Sequence, residues 1–244
     1  MQIGVPARGL ATLALAAATG CGSASVDTIY RSSDTGLPRP DRVLVFDFVA
    51  HPDSVFVDTS PGKTMGRAMR DTTVTDERAR VASAAQMVVA EYLVAQIRET
   101  GLDAQRAAHG TVAKDGTVLV QGRFVKIDQG NRAGRTVFGF GSGSTEVRTF
   151  VEVFRATPHG PRLLEEFETR VTGSSTPGIL LPVGVGAATG EMAISAAIGG
   201  GLAVASEVLG GVDNDTKRTS QAIAQRLSVV FVRQRWIPPG AAVK

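Results

Sequence analysis

Residues 117–171 read TVLVQGRFVKIDQGNRAGRTVFGFGSGSTEVRTFVEVFRATPHGPRLLEEFETRV. Val147, Thr149, Val151 and Val153 share one parity, and Glu146, Arg148 and Glu152 share the other. A period of two marks a strand with one buried face. Val118 and Val120 open a similar run, and Val125 and Ile127 continue it on the opposite parity, so a bulge is expected at Gly122. A third run sets Leu163, Phe167 and Val171 on one face. Gly, Asn, Asp and Pro punctuate the joints. The expectation is an antiparallel meander on which the rest of the chain packs.

Upstream, Arg42–Ala50 (RVLVFDFVA) is almost continuously apolar, which places it as a strand buried on both faces, inside the sheet. Val55–Val57 reads as a short extension and Pro61–Met69 as a loop. Asp76–Thr100 carries Val81, Ala85, Val88 and Tyr92, with Val89, Leu93 and Ile97, at helical spacing. Thr75 or Asp76 caps its start and Gly101 ends it. Leu102–Ala108 reads as a short strand. Downstream, residues 178–211 are apolar and rich in Gly and Ala, with Glu191 and Glu207 as the charges. Asp215–Trp236 reads as a second amphipathic helix, with Ile223, Leu227 and Val230 on its apolar face. This order predicts an α+β domain: a mainly antiparallel sheet, two long amphipathic helices packed on one face, and a Gly/Ala-rich apolar segment.

The chain has 244 residues, 43% of them hydrophobic, enough for one sizeable core. A net charge of +3 spread along the sequence, with 5% aromatics, gives no nucleic-acid footprint. Cys21 is the sole cysteine, so no intrachain disulfide or cysteine zinc site is possible.

Residues 1–20 have the form of a signal peptide, with Arg8 before an apolar run from Leu10 to Ala18. Ala18-Thr19-Gly20-Cys21 resembles a lipobox, in which the cysteine thiol receives the lipid. Ala18 stands where leucine is usual, and an ordinary secretory cleavage near Ala16–Gly20 is the alternative. Gly22, in place of aspartate, implies sorting to the outer membrane. Residues 21–41 are expected to be the lipidated cysteine and a flexible tether, and residues 42–244 a single periplasmic domain containing the 178–211 insertion.

Ile127-Asp128-Gln129-Gly130-Asn131-Arg132, then Arg135, then Gly139-Phe140-Gly141-Ser142-Gly143-Ser144 before a Val-rich strand, resembles domain-of-unknown-function family 4410. The early strand with Val43, Val45, Asp47 and Phe48, and the helix after it, agree. The resemblance spans roughly residues 42–236. It implies a bacterial lipoprotein and a fold, and it brings no catalytic residues.

The chemical motifs are weak. Pro61-Gly62-Lys63-Thr64 mimics the end of a phosphate-binding loop, but Val57 replaces the required glycine and a loop is expected to follow. Gly139, Gly141 and Gly143 precede a strand where a dinucleotide site needs a helix. Gly184, Gly186 and Gly190 miss the same spacing. His51, His109 and His159 are the only histidines, all in loop-like contexts and without metal-ligand spacing. No GxSxG elbow is present. Nothing calls for a cofactor or metal, and the chain reads as non-catalytic.

Asp128, Asn131, Arg132 and Arg135 form a candidate docking loop. It is either a loop held by an Asp128–arginine pair or a patch for an anionic lipid headgroup, glycan or carboxylate. Gly186 and Gly190, Ala196 and Gly200, and Gly201 and Ala205 repeat a small-xxx-small spacing, which suits close packing inside the domain, an association surface for a partner or second copy, or a face laid on the bilayer. The expected function is therefore a binding or envelope-assembly role at the outer membrane, with membrane lipid at Cys21 and an envelope protein or a second copy as partner. An envelope hydrolase using His51 and nearby aspartates is one alternative. The other is an oligomeric secretion or pore-associated component using residues 178–211.

Overall fold

The computed structural model of the chain describes residues 23–131, 144–173 and 201–243. Its strands are β1 (Ala24–Arg31), β2 (Val43–Phe46), β3 (Val55–Phe56), β4 (Ala104–Ala107), β5 (Val118–Asp128), β6 (Glu146–Arg155) and β7 (Arg162–Thr172). Its α-helices are α1 (Pro61–Met69), α2 (Val74–Glu99), α3 (Gly201–Leu209) and α4 (Asp213–Arg233). The class is α+β.

The sheet is mixed, a correction to the mainly antiparallel expectation. Its order is β1-β7-β6-β5-β2-β4, with β3 beside β5 off that path. The meander β5–β6–β7 and its neighbour β1 are antiparallel, whereas β2 runs parallel to β4 and β5, and β3 runs parallel to β5. Helix α2 carries the chain back between β2 and β4, and such a crossover makes the two strands parallel.

One face of the sheet meets the helices. Val43, Val45, Val118, Val120, Val147, Val151, Val153 and Phe167 join residues of α2, α3 and α4 in a single buried cluster. Leu44 and Phe46 point the other way and pack with Ala107, so β2 is buried on both faces. Helix α2 is buried around more than one stripe, Ala82, Ala90 and Val94 included, because α3 and α4 pack on it as well as the sheet. Thr73 and Asp76 close a capping box at its start. Gly101, with φ of +86°, follows its end.

Three local expectations are corrected. The parity change in β5 falls at Val125, not at Gly122. Phe124 is buried and Val125 exposed, and the register with β6 shifts between Phe124 and Lys126. Gly122 serves close packing instead, since an added Cβ would lie 2.5 Å from the Phe150 carbonyl oxygen and 2.8 Å from the Phe48 ring. Second, Pro61–Met69 is a helix. Proline at its first turn presets the backbone, and the buried Arg67 pins it by donating to Asp58 O (2.9 Å), Glu77 Oε2 (2.7 Å) and Thr64 Oγ1 (3.1 Å).

Third, residues 24–38 are part of the fold, not a tether. β1 pairs along β7 from Ala24↔Val171 to Arg31↔Glu165. Beyond it, Gln234 Nε2 donates to Asp34 O (2.7 Å), Trp236 Nε1 donates to Leu37 O (2.8 Å), and Leu37 N–H donates to Gln234 Oε1 (3.1 Å). In β7, a register shift opposite Val153/Phe154 gives the core position to Leu164 and leaves Leu163 half-buried.

Candidate ligand-binding site

Two rows of side chains cross the outer face of the sheet where β5 ends and β6 begins. Phe56, Asp128, Glu146 and Thr172 are successive cross-strand neighbours. Each follows or precedes a core residue (Val55, Ile127, Val147, Val171), so all four lie on the face away from the helices. Lys126, Arg148 and Arg170 form the second row.

Cations abreast on one face repel, and Glu146 sits among them to neutralise them. Its Oε2 lies 2.9 Å from Lys126 Nζ, and its Oε1 lies 3.2 Å from Arg148 Nη2 and 2.6 Å from Arg170 Nε. Lys126 Nζ also reaches Asp128 Oδ2 at 2.9 Å, and Arg148 Nε reaches Glu168 Oε1 at 3.2 Å. Glu146 is 8% exposed. Burial pushes its carboxyl pKa up, but Lys126, Arg170 and Arg148 together outweigh burial and hold it below the ordinary value. The hydrogen bond to Glu146 raises the Lys126 ammonium against the effect of burial, with Asp128 adding to it.

Lys126, Asp128, Glu146 and Arg170 line a cleft of about 430 Å³ bordered by Phe56, Thr59, Ser144 and Thr172. Lys126 lies 5.6 Å from the centre of the Phe56 ring. Hydrogen-bonding capacity in the cleft is unbalanced. Both Glu146 oxygens accept from cations. Asp128 accepts from Lys126 and from the Gly130 N–H, 2.9 Å away. Arg170 engages Glu146 through Nε, and its side chain is 53% exposed, so the guanidinium has donors beyond the one used on Glu146.

Of the residues singled out in the sequence, Asp128 and Asn131 line this cleft. Arg132 and Arg135 lie outside the described residues, as do Cys21, Gly186, Gly190 and Gly200. Ala205 is 5% exposed within the core, with Leu202 and Leu209 on the same side of α3. Its side chain is therefore spent on internal packing, which corrects its place in an association surface. Lys126, Glu146, Arg148 and Arg170 were not singled out. Their signal was the polar parity opposite Val147 and Val171.

His51 and Asp53 are exposed, and His51 Nδ1 accepts from the Asp53 N–H at 3.3 Å. Asp47 is held by the Arg106 guanidinium at 2.5 and 3.0 Å. His109 stacks on Phe46, with Nε2 2.9 Å from the Asp47 carbonyl oxygen. None of these residues lines the cleft. At the start of α1, the buried Asp58 carboxylate accepts from the Ser60 N–H at 2.9 Å, so an acid already sits where a phosphate would approach Pro61–Thr64. No group of His, Cys, Asp or Glu that could hold a metal ion occurs among the described residues, and none of their helices is long and apolar enough to cross a membrane.

Two further polar clusters lie on the helix side. Glu165 is fully buried and is held by Arg226, by Arg233 at 3.0 Å and by Arg31 at 3.7 Å. Asp215, 3% exposed, accepts from the Thr145 hydroxyl and lies 3.4 Å from Arg218. Burial pushes the Asp215 carboxyl pKa up, against the Thr145 hydrogen bond and Arg218.

The family described as domain of unknown function (DUF4410) matches residues 43–190. The chain belongs to this family. The DUF4410 match takes in β2 to β7 and therefore every charged residue of the cleft. No curated protein matches the chain. Among solved structures, a PelC dodecamer from Paraburkholderia phytofirmans is similar at 14% identity and a TM-score of 0.36, covering 78% of this chain and 98% of that one. A variant of that dodecamer in another crystal form gives 16% and 0.35, covering 77% and 98%.

Proposed function

We propose that this chain is a lipid-anchored envelope protein, acylated at Cys21 and held at the periplasmic face of the outer membrane, with a binding or assembly role and no catalysis of its own. The observation that carries this reading is the sole cysteine within Ala18-Thr19-Gly20-Cys21, directly after an apolar leader. The open edge of β1 supports assembly. Among the described residues β1 pairs with β7 alone, and it exposes Ile29 and Tyr30 beside its unpaired backbone groups. A strand edge of that kind accepts a strand from an envelope partner or from a second copy.

The test is Cys21→Ser, with fractionation of cells and intact mass of the product. Each buried methylene of an acyl chain contributes about 0.8 kcal/mol, so two or more chains hold firmly. The variant is expected in the soluble periplasmic fraction or as uncleaved precursor. A mature, membrane-bound Cys21→Ser protein would overturn the reading.

A further inference from the structure

We propose that the cleft lined by Phe56, Lys126, Asp128, Glu146 and Arg170 binds the phosphate of an anionic membrane lipid beside the anchor. The location rests on the acylation of Cys21 proposed above; the chemistry rests on the cleft alone.

The location follows from strand register. Thr172, on the rim of the cleft, donates its N–H to Ser23 O at 2.9 Å, and the two hydroxyls are 2.8 Å apart. Ser23 is two residues from Cys21, which is about 7 Å of fully extended chain. The row Thr172, Glu146, Asp128, Phe56 then leads directly from that point across three neighbouring strands. An acylated Cys21 has its glycerol at headgroup level. A cleft that begins one short step away is therefore presented to the headgroups, not to the periplasm at large.

The chemistry follows from the unequal use of charge. Both carboxylates of the cleft are engaged by its own cations and by a backbone N–H. Arg170 still offers its two terminal nitrogens, and Lys126 still has its third hydrogen after pairing with Asp128 and Glu146. A site with spare donors and occupied acceptors fits a ligand that only accepts. A phosphodiester does so, and a guanidinium next to an ammonium is a favourable pair of donors for it. The half-exposed Phe56 ring gives the cleft one apolar wall against which a glyceryl backbone can lie. Glu146 supplies the fixed geometry. It holds Lys126 and Arg170 in place before any ligand arrives, which lowers the ordering cost of binding.

The full lipidated chain, purified from membranes in a nonionic detergent, serves for the test. Its melting temperature is followed while phosphatidylglycerol, diacylglycerol or inorganic phosphate is added. Phosphatidylglycerol is expected to raise it and diacylglycerol to leave it unchanged. Arg170→Met and Lys126→Met should each weaken the phosphatidylglycerol response by about tenfold in concentration, and Arg170→Lys should restore part of it. Lys114→Met, in an exposed turn at the far end of β5, should respond as the unaltered chain does. An equal response in Arg170→Met and Lys126→Met overturns the site. A response to inorganic phosphate equal to that for phosphatidylglycerol overturns the lipid assignment. Intact mass of the same sample reports separately on the anchor. If Cys21 carries no acyl chain, the anchor reading falls, while a phosphatidylglycerol response lost in Arg170→Met still supports the cleft.

Discussion

Glu165 and Glu146 sit on opposite faces of the same sheet, and each is surrounded by three cations. Their surroundings make them different devices. Glu165 lies under α4, fully buried, and two of its partners, Arg226 and Arg233, come from that helix with little exposure. Its charge locks the last helix to β7 and β1. Glu146 lies at the open end of the outer face, and its partners come from β5, β6 and β7. They are about a third to a half exposed, so they remain available to something outside the fold. The same charge pattern is a clamp where helices cover it and a receptor where they do not.

The contrast can be broken most severely at Glu165. In Glu165→Ala, Arg226 and Arg233 lose their counter-charge inside the protein. Removing one partner of a buried ion pair costs about 3–5 kcal/mol, so a large fall in the denaturation midpoint is expected; a loss below about 1 kcal/mol would mean that the cluster is not a clamp. Gly122→Ala tests how little room the inner face leaves beside it. The added Cβ would collide with the Phe150 carbonyl oxygen and the Phe48 ring. An overpacking loss of about 1–3 kcal/mol is expected by the same measurement, and unchanged stability would show a looser core than the contacts imply.

The smallest effect belongs to Glu146→Gln. With its partners partly solvated, the loss near neutral pH is about 1 kcal/mol or less. The sign of its pH dependence is the sharper test. The folded Glu146 carboxyl is held below its ordinary value of 4.5, so the unfolded chain binds a proton first on acidification. The charge of Glu146 therefore stabilises the fold above that pH and ceases to do so as pH falls through the lower folded value. The stability difference between the unaltered chain and Glu146→Gln should shrink below pH 4.5. A difference that grows on acidification would contradict the geometry.

Period two made one part of this arrangement legible in the sequence. Val147, Val151 and Val153 are core and Arg148 is not, as their alternation says. The pattern does not tell which strand lies next to which, so the row Lys126, Arg148, Arg170 could not be assembled from it. Glu165 and Thr169 share the parity of Phe167 and Val171 and are buried with them; a charge on a core parity looks like a break in the pattern until the arginines of α4 are seen opposite. β1 was hidden for another reason. It is an edge strand, exposed along almost its whole length, and it has no apolar alternation to read. The parallel position of β2 between β4 and β5 depends on the crossover through α2, which leaves no local trace. In β5, the shift between Phe124 and Lys126 moved the change of face three residues beyond the glycine that drew attention.

The pairing of β1 with β7 also has a consequence in time. Ser23 and Thr172 meet across 149 residues of chain, so the first strand made is among the last to find its partner. Contacts of such sequence separation form late, after the loop between them has been closed by other means. While the chain is being synthesised from its N-terminus, β1 has nothing to pair with until β7 has been made. During that interval β1 is an unpaired, partly apolar ribbon, and once β7 has folded onto β6 its outer edge is vacant too. Both are surfaces on which a newly made chain can be mispaired with its neighbour. A holding factor that covers β1 early would protect this protein more than one acting on its helices.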